Sequence, residues 1–397
     1  LEDAPDFDAA HARWLPERIA SAHRLPGGHR LGDSWGALAE SQTQGLPALA
    51  LRLPDGRAWR YAPQGGTIAL DRGDDAPLVV ELGESDWLGL SRSTETLMGL
   101  VMGQRAQVLS GEVADFIEWE TALRVLYEAL PPWDPEAPLI DSDGRELDPS
   151  TAFAPEDDPD QMAEFLRAAG YIVVRGLLPS EEVAGLVEAA ELARERAVDG
   201  DQDSWWSKHD DGRRGLVRVL SAGRDPRMRA LPSDPRLMRI VGLSDFELEA
   251  TETEGVSVIF KHSGMRFDGK ADQPWHRDCG LGGHRLMCPL MNGSLFLTPA
   301  DRASGELRFL PGSWQTVGAR IHDPDYRMGV AIEAQPGDFA LHYGDGLHAG
   351  TPPTAKDGPF RWSAVFEYGP VGRSAEQSQE HYDQLMHEAD ARSLRSS

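Results

Sequence analysis

The sequence predicts an α+β protein in two parts, a smaller α+β unit followed by a larger unit whose short strands build a sandwich or jelly roll with flanking helices. Three observations predict it. The chain has 397 residues, enough for two domains of ordinary size. The stretch PPWDPEAPLIDSDGRELDPS is rich in Pro, Asp and Gly and lacks apolar periodicity, which reads as a linker. Beyond it, six short strand-like runs are separated by Gly and Pro turns and follow a helical front segment. The expected division is residues 1–132, a linker over 133–155, and residues 156–397.

In the first unit, LPALALRLP and GRAWRYA alternate apolar and polar residues around Pro54, Asp55 and Gly56, the pattern of a hairpin. GGTIALDRG and DAPLVVELG read as two more strands. SDWLGLSRSTETLMGLVMG reads as one helix, with Ser85 or Ser91 as its N-cap. A short strand, RAQVLSGEV, precedes the helix ADFIEWETALRVLYEAL, whose Phe116, Ile117, Leu123, Leu126 and Leu130 recur at helical spacing. Trp87, Leu97, Met98, Met102 and Trp119 are read as core first and as cavity lining second.

After the linker, a helix is expected to end at Gly170, followed by the strand YIVVRGLL and a helix opened by Pro179 and Ser180 with Glu182 in its first turn. The strand-like runs are GVSVIFKH, GSLFLTP, GELRFLPG, GVAIEAQ, DFALHYG and FRWSAVFEYG.

Composition narrows the function. The formal net charge is −26, against the Lys and Arg excess that nucleic-acid or anionic-membrane binding requires. No run of 18 apolar residues exists, so no membrane span is expected, and the acidic opening LEDAPDFDAA has no signal pattern. Cys279 and Cys288 are too few for a disulfide framework, which sets a cytoplasmic expectation. Arg213, Arg214, Arg218, Arg224, Arg227 and Arg229 form a local basic run interleaved with Asp. It reads as a mixed-charge surface, with an anion-facing patch as the alternative.

The chemistry is in the histidines. His276 and Asp278 stand two apart in QPWHRDCG, so in an extended segment both face one side. His348 follows in GDGLHAGTPP, at the end of the strand DFALHYG. Two imidazoles and one carboxylate on one face form the facial triad of non-haem Fe(II) oxygenases, with positions open for a keto acid and O2. An H-x-D pair alone is weak; Arg361, at the start of the next strand, adds a guanidinium able to grip a carboxylate in two bonds. His342 is the second choice of ligand. His262, His284 and His322 read as hydrogen-bonded or surface residues, and Trp205 and Trp206 as packing or the mouth of a substrate site.

Two resemblances follow from these segments. FLRAAGYIVVRGLLPSEEV, WHRD, SGELRFLPGSW and PGDFALHYGDGLHAGTPP, with Arg361 behind them, resemble the phytanoyl-CoA dioxygenase family of Fe(II)/2-oxoglutarate oxygenases. The resemblance implies a double-stranded β-helix, iron on His276, Asp278 and His348, and 2-oxoglutarate on Arg361. It also implies that Arg218, Ser257 and Ser294 occupy cofactor-contacting places and that Thr351 adds a hydroxyl near the keto acid. Fe(II), 2-oxoglutarate and O2 are the implied cofactor and co-substrates. Residues 30–130, through ESDWLGL and LMGLVMGQRAQVLSGEVADFIEWETAL, resemble sterol carrier protein type 2-like domains, which implies an apolar tunnel. The combined expectation is hydroxylation of an aliphatic C–H bond in an apolar, lipid-like or acyl substrate, with the Arg-rich run meeting a phosphate-bearing carrier. The alternatives are a small polar metabolite or natural product, a lipid carrier with a non-catalytic oxygenase half, and a cupin-like metalloenzyme without 2-oxoglutarate. Oligomeric state is not readable.

Overall fold

The computed structural model describes residues 6–24, 30–209, 211–250, 255–265, 272–286, 289–318 and 321–371; Cys288 lies outside them. Among the described residues no helix is long and apolar enough to cross a membrane.

The first unit is built on a five-stranded sheet in the order Thr67–Arg72, Ala58–Gln64, Leu49–Arg52, Leu78–Leu82, Ala106–Ser110. Leu49–Arg52 and Leu78–Leu82 pair in parallel, the other neighbours antiparallel. The central strand is buried on both faces at Leu49, Ala50 and Leu51, as a strand covered on two sides must be. Its core includes Phe7, Tyr61, Trp87, Trp119 and Tyr127, so Trp87, Leu97 and Trp119 are core residues, whereas Met98 is exposed.

The helix expected over 85–103 is two helices, Glu84–Ser91 and Leu97–Met102. Thr96, not Ser85 or Ser91, caps the second, its hydroxyl accepting from Gly99 N at 3.0 Å. Arg105 forks onto Glu95 and fixes the break. The stretch 7–20, which sequence reading left unassigned, is helical, with a π turn over Ala10–Trp14. That turn puts His11 in the core. His11 Nδ1 donates to Phe7 O at 2.7 Å, and the Tyr61 hydroxyl, 2.5 Å away, donates to Nε2.

Burial pushes the His11 imidazole down to about 4. The unfolded value, about 6.5, is higher. Between those values the unfolded chain therefore takes up the extra proton, and stability falls as pH drops from about 6.5 to 4. Urea titration across this window should show a loss on the order of 3 kcal/mol that His11→Phe removes. Equal pH dependence in the two proteins would disprove the assignment.

The second unit carries two antiparallel sheets. The larger has eight strands, in the order Tyr171–Val174, Phe339–Tyr343, Met291–Phe296, Trp362–Pro370, Ser257–Phe260, Arg214–Val219, Ser204–Lys208, with Leu248–Ala250 also on Trp362–Pro370. The smaller has four, in the order Gln273–His276, His348–Gly350, Leu307–Phe309, Val330–Ile332. Leu307, Phe309 and Ile332 of the smaller sheet and Leu295, Phe339 and Phe366 of the larger belong to one core, the last three on the face opposite the one that carries Asn292, Ser294 and Glu367. Helices Pro159–Ala169 and Ser180–Arg196 add Phe165, Leu166, Val183 and Leu186 to it.

One sequence expectation changes here. His348 does not end the strand that holds His342; it opens a strand of its own in the smaller sheet. The Arg-rich run contains one strand, Arg214–Val219, and Arg213, Arg214, Arg224 and Arg227 are paired with Asp211, Asp199, Asp203 and Asp225, the mixed-charge surface expected of it. No anion-facing patch forms from those four. Residues 133–155 pack against the second unit, Trp133 Nε1 donating to Pro311 O at 2.8 Å and Phe153 entering the core.

Candidate metal centre and its pocket

His276 and His348 are direct partners across two antiparallel strands, so their side chains emerge side by side. Arg277 keeps an extended backbone (φ −116°, ψ 140°), which returns Asp278 to the face His276 occupies. One ligand atom from each of His276, Asp278 and His348 lies within 4.8 Å of the others, with no ion present.

The donors are prepared for a metal. His276 Nδ1 donates to Pro274 O at 2.7 Å and His348 Nδ1 to Gly346 O at 3.0 Å, which turns both Nε2 lone pairs toward Asp278. Nε2 of His276 and of His348 lie 3.7 and 3.5 Å from Asp278 Oδ1. The other carboxylate oxygen is occupied. Asp278 Oδ2 accepts from Asn292 Nδ2 at 2.6 Å and from His342 Nε2 at 3.1 Å. Oδ1 is thus the oxygen offered to a cation. His276 Nε2 is buried with no hydrogen-bond partner, an orphaned lone pair that a metal ion satisfies. An N,N,O set of this kind suits iron(II).

Electrostatics agree. Burial pushes the Asp278 carboxyl up, but His348, His276 and His342 outweigh it and hold the group well below the usual carboxylate range. Burial pushes the His348 imidazole down to about 3, leaving it neutral and able to ligate at physiological pH.

The cavity beside these ligands lies between the two sheets. Arg361 lines it together with Ser363, Val365 and Glu367, alternate residues of one strand and its approach. Arg361 is 4% exposed, and its Nε has no hydrogen-bond partner. Burial pushes its guanidinium down to about 10. Neighbouring Lys261 differs: its ammonium is spoken for by Asp272 Oδ1 at 2.9 Å and Gly350 O at 2.8 Å. Burial pushes Lys261 down to about 8. The cation awaiting an anion is therefore Arg361.

The remaining expected contacts divide. Arg218 and Ser294 line the cavity. Arg218 Nε donates to Ser257 Oγ at 2.9 Å and its guanidinium lies 5.0 Å from the Trp205 ring centroid, so Ser257 orients Arg218 and does not line the cavity itself. The Thr351 hydroxyl donates to Glu306 O at 3.3 Å, and Thr351 is not among the residues that line the cavity. His342 is not in the ligand set but orients Asp278. His284, read as a surface residue, lines the cavity. Asn292, Gln273 and Glu367 had no signal in sequence; strand register alone brings them in, Asn292 facing His342 on one side and Glu367 on the other.

Asn292→Ala and His342→Ala should each weaken Fe(II) binding by about 10- to 100-fold, because outer partners hold a ligand carboxylate in place. Anaerobic Fe(II) titration measures this, and wild-type affinity in both variants would refute the role.

Residues 166–358 match the family model described as phytanoyl-CoA dioxygenase (PhyH). No curated protein matches the chain. Similar solved structures include AviO1 from Streptomyces viridochromogenes, at 22% identity and a TM-score of 0.42 over 54% of this chain and 96% of that one. EctD from S. alaskensis with bound Fe is 22% identical, with a TM-score of 0.42 over 57% and 82%. The non-heme alpha ketoglutarate dependent epimerase SnoN is 22% identical, with a TM-score of 0.38 over 54% and 83%.

Proposed function

We propose that this iron- and 2-oxoglutarate-dependent oxygenase hydroxylates an aliphatic C–H bond of a small polar metabolite or natural product, with succinate and CO2 released. The observation that carries the reading is the cavity wall. Arg218, Gln273, His284, Asn292, Ser294 and Glu367 face the space next to the ligands. An acyl chain laid against this wall would face charged and amide groups rather than the continuous apolar lining a lipid site presents. The lipid-like substrate expected from sequence has no such support.

His276, Asp278 and His348 would hold the iron, and Arg361 the distal carboxylate of 2-oxoglutarate. Bound iron supplies the redox chemistry that couples oxidative decarboxylation of the keto acid by O2 to attack on the C–H bond. The chain's own part is positional. Asn292 and His342 fix which oxygen of Asp278 is offered, and the sheets screen the cavity from bulk water. We assign the oxygenase to residues 156–397, the connection to 133–155, and a supporting rather than lipid-carrying role to 1–132, whose centre is filled by Tyr61, Trp87, Trp119 and Tyr127.

Anaerobic titration of the Fe(II)-loaded protein with 2-oxoglutarate should produce a weak charge-transfer band near roughly 500 nm. Succinate release should then respond to small polar molecules and not to acyl thioesters. Stimulation by acyl thioesters alone would restore the lipid reading, and no band at verified iron occupancy would remove the 2-oxoglutarate assignment.

A further inference from the structure

The segments that carry the ligands are gripped from outside the oxygenase half, and we infer that the N-terminal unit is a positioning element of the metal centre. Residues 93–99 and Arg124 hold Asp278 and the turn before His348 in the arrangement that binds iron. The inference rests on the oxygenase reading above.

Two independent sets of contacts carry it. The first is on the backbone just after Asp278. The turn Asp278–Leu281 is followed by a loop whose Gly283 N donates to Thr94 O at 2.9 Å and whose Leu286 N donates to Ser93 O at 2.7 Å. The Thr96 hydroxyl donates to Gly280 O at 2.7 Å while accepting from Gly99 N. The approach is as close as backbones allow. A Cβ on Gly99 would overlap the Leu281 carbonyl, and one on Gly282, which sits at φ 68°, would lie 2.9 Å from Glu95 Cα. Arg105 clamps Glu95 from behind. The break between helices Glu84–Ser91 and Leu97–Met102 is what presents residues 93–96 to this loop.

The second set is ionic and buried. Arg277 lies between two ligands and points away from them. It donates to Ser313 O at 3.1 Å, to Thr316 O at 2.9 Å and to Asp345 O, and pairs with Asp345 Oδ2 at 3.0 Å. Asp345 is 1% exposed and belongs to the turn that leads into His348. From helix Glu120–Glu128 of the N-terminal unit, Arg124, paired with Glu128 at 2.6 Å, reaches the same oxygen at 3.8 Å, so its removal strands Glu128 and leaves Asp345 to Arg277 alone. One carboxylate thus ties the N-terminal unit to the chain between His276 and Asp278 and to the approach of His348. Removing a partner from such a buried set leaves an uncompensated charge, so the segments must shift. Ligand sets tolerate shifts of only a fraction of an ångström.

The test uses the full chain. Wild type, Thr96→Val, Gly99→Ala, Arg124→Met and Arg124→Lys are titrated anaerobically with Fe(II), and the 2-oxoglutarate charge-transfer band is recorded, with circular dichroism melting to verify folding. Gly99→Ala and Arg124→Met should weaken Fe(II) binding about 10- to 100-fold and displace or bleach the band, as outer partners of a ligand do. Thr96→Val should show a smaller loss of the same kind, and Arg124→Lys should recover most of the affinity. Folded Gly99→Ala and Arg124→Met proteins with wild-type affinity and band overturn the inference, even at lowered melting temperature. If Arg124→Met does not fold, Thr96→Val and Gly99→Ala decide in the same way. A wild type that binds no Fe(II) removes the oxygenase reading and this inference with it, an outcome distinct from variants that match an active wild type.

Discussion

Asp278→Ala is expected to abolish Fe(II)-dependent 2-oxoglutarate turnover and to weaken Fe(II) binding by more than about 100-fold, beyond what loss of an outer partner costs. Two separate losses converge on this one side chain. The only carboxylate of the ligand set goes, leaving two neutral imidazoles facing a dication. Asn292 Nδ2 and His342 Nε2 lose their shared acceptor, Oδ2, and stay buried with nothing to donate to. Asp278→Asn separates charge from shape. Its side chain keeps the volume and one oxygen, yet two neighbours already donate toward the Oδ2 position. An amide must therefore place its oxygen there and its NH2 toward the metal, where it cannot ligate. Asn should thus be nearly as damaging as Ala. Asparagine retaining Fe(II) affinity within about threefold of wild type would show that Asp278 is not the ligand this geometry makes it.

The part of the centre that could be read from sequence is the part encoded locally. His276 and Asp278 are two residues apart, and one extended backbone residue between them suffices to align them. His348 and Arg361 were reachable because their segments carry the family's turn and strand text. Asn292 is not legible and His342 only as a second-choice ligand, because both meet Asp278 through strand register: Asn292 is the cross-strand partner of His342, far apart along the chain. Arg218 takes its place by resemblance; Arg214, four residues earlier on the same strand, pairs with Asp199, and a register shift between Leu216 and Arg218, invisible in the sequence, separates the two. The same holds for the helix expected over 85–103. Its apolar periodicity is continuous, but a threonine cap and an Arg105–Glu95 pair break it. The helical stretch 7–20 has a π turn that shifts the 3.6-residue period, so the apolar pattern misses it.

Arg361→Leu should have opposite effects on the empty and the liganded protein. In the empty protein the guanidinium is 4% exposed, has an unpartnered Nε, and gains only distant help from Asp272 and Glu306. A buried charge in that state costs folding free energy, and a leucine of lower polarity relieves it. Unfolding of the metal-free variant in urea should therefore show stability equal to or above that of wild type. With 2-oxoglutarate the order reverses. Truncating one partner of a buried, hydrogen-bonded charge pair costs about 2–5 kcal/mol, which corresponds to a rise in the 2-oxoglutarate Kd of roughly 30-fold to several thousand-fold. Metal-loaded wild type at about 100 times its Kd should gain near 2.7 kcal/mol from the keto acid, and the variant at the same concentration less than about 1 kcal/mol. Arg361→Lys should fall between, since an ammonium keeps the charge but not the planar fork. Lys261 cannot substitute, because Asp272 and the Gly350 carbonyl already hold its ammonium. A variant destabilised when empty yet bound to 2-oxoglutarate as tightly as wild type would mean that Arg361 props up the fold and that the keto acid is held elsewhere, with Arg218 the next cation to test.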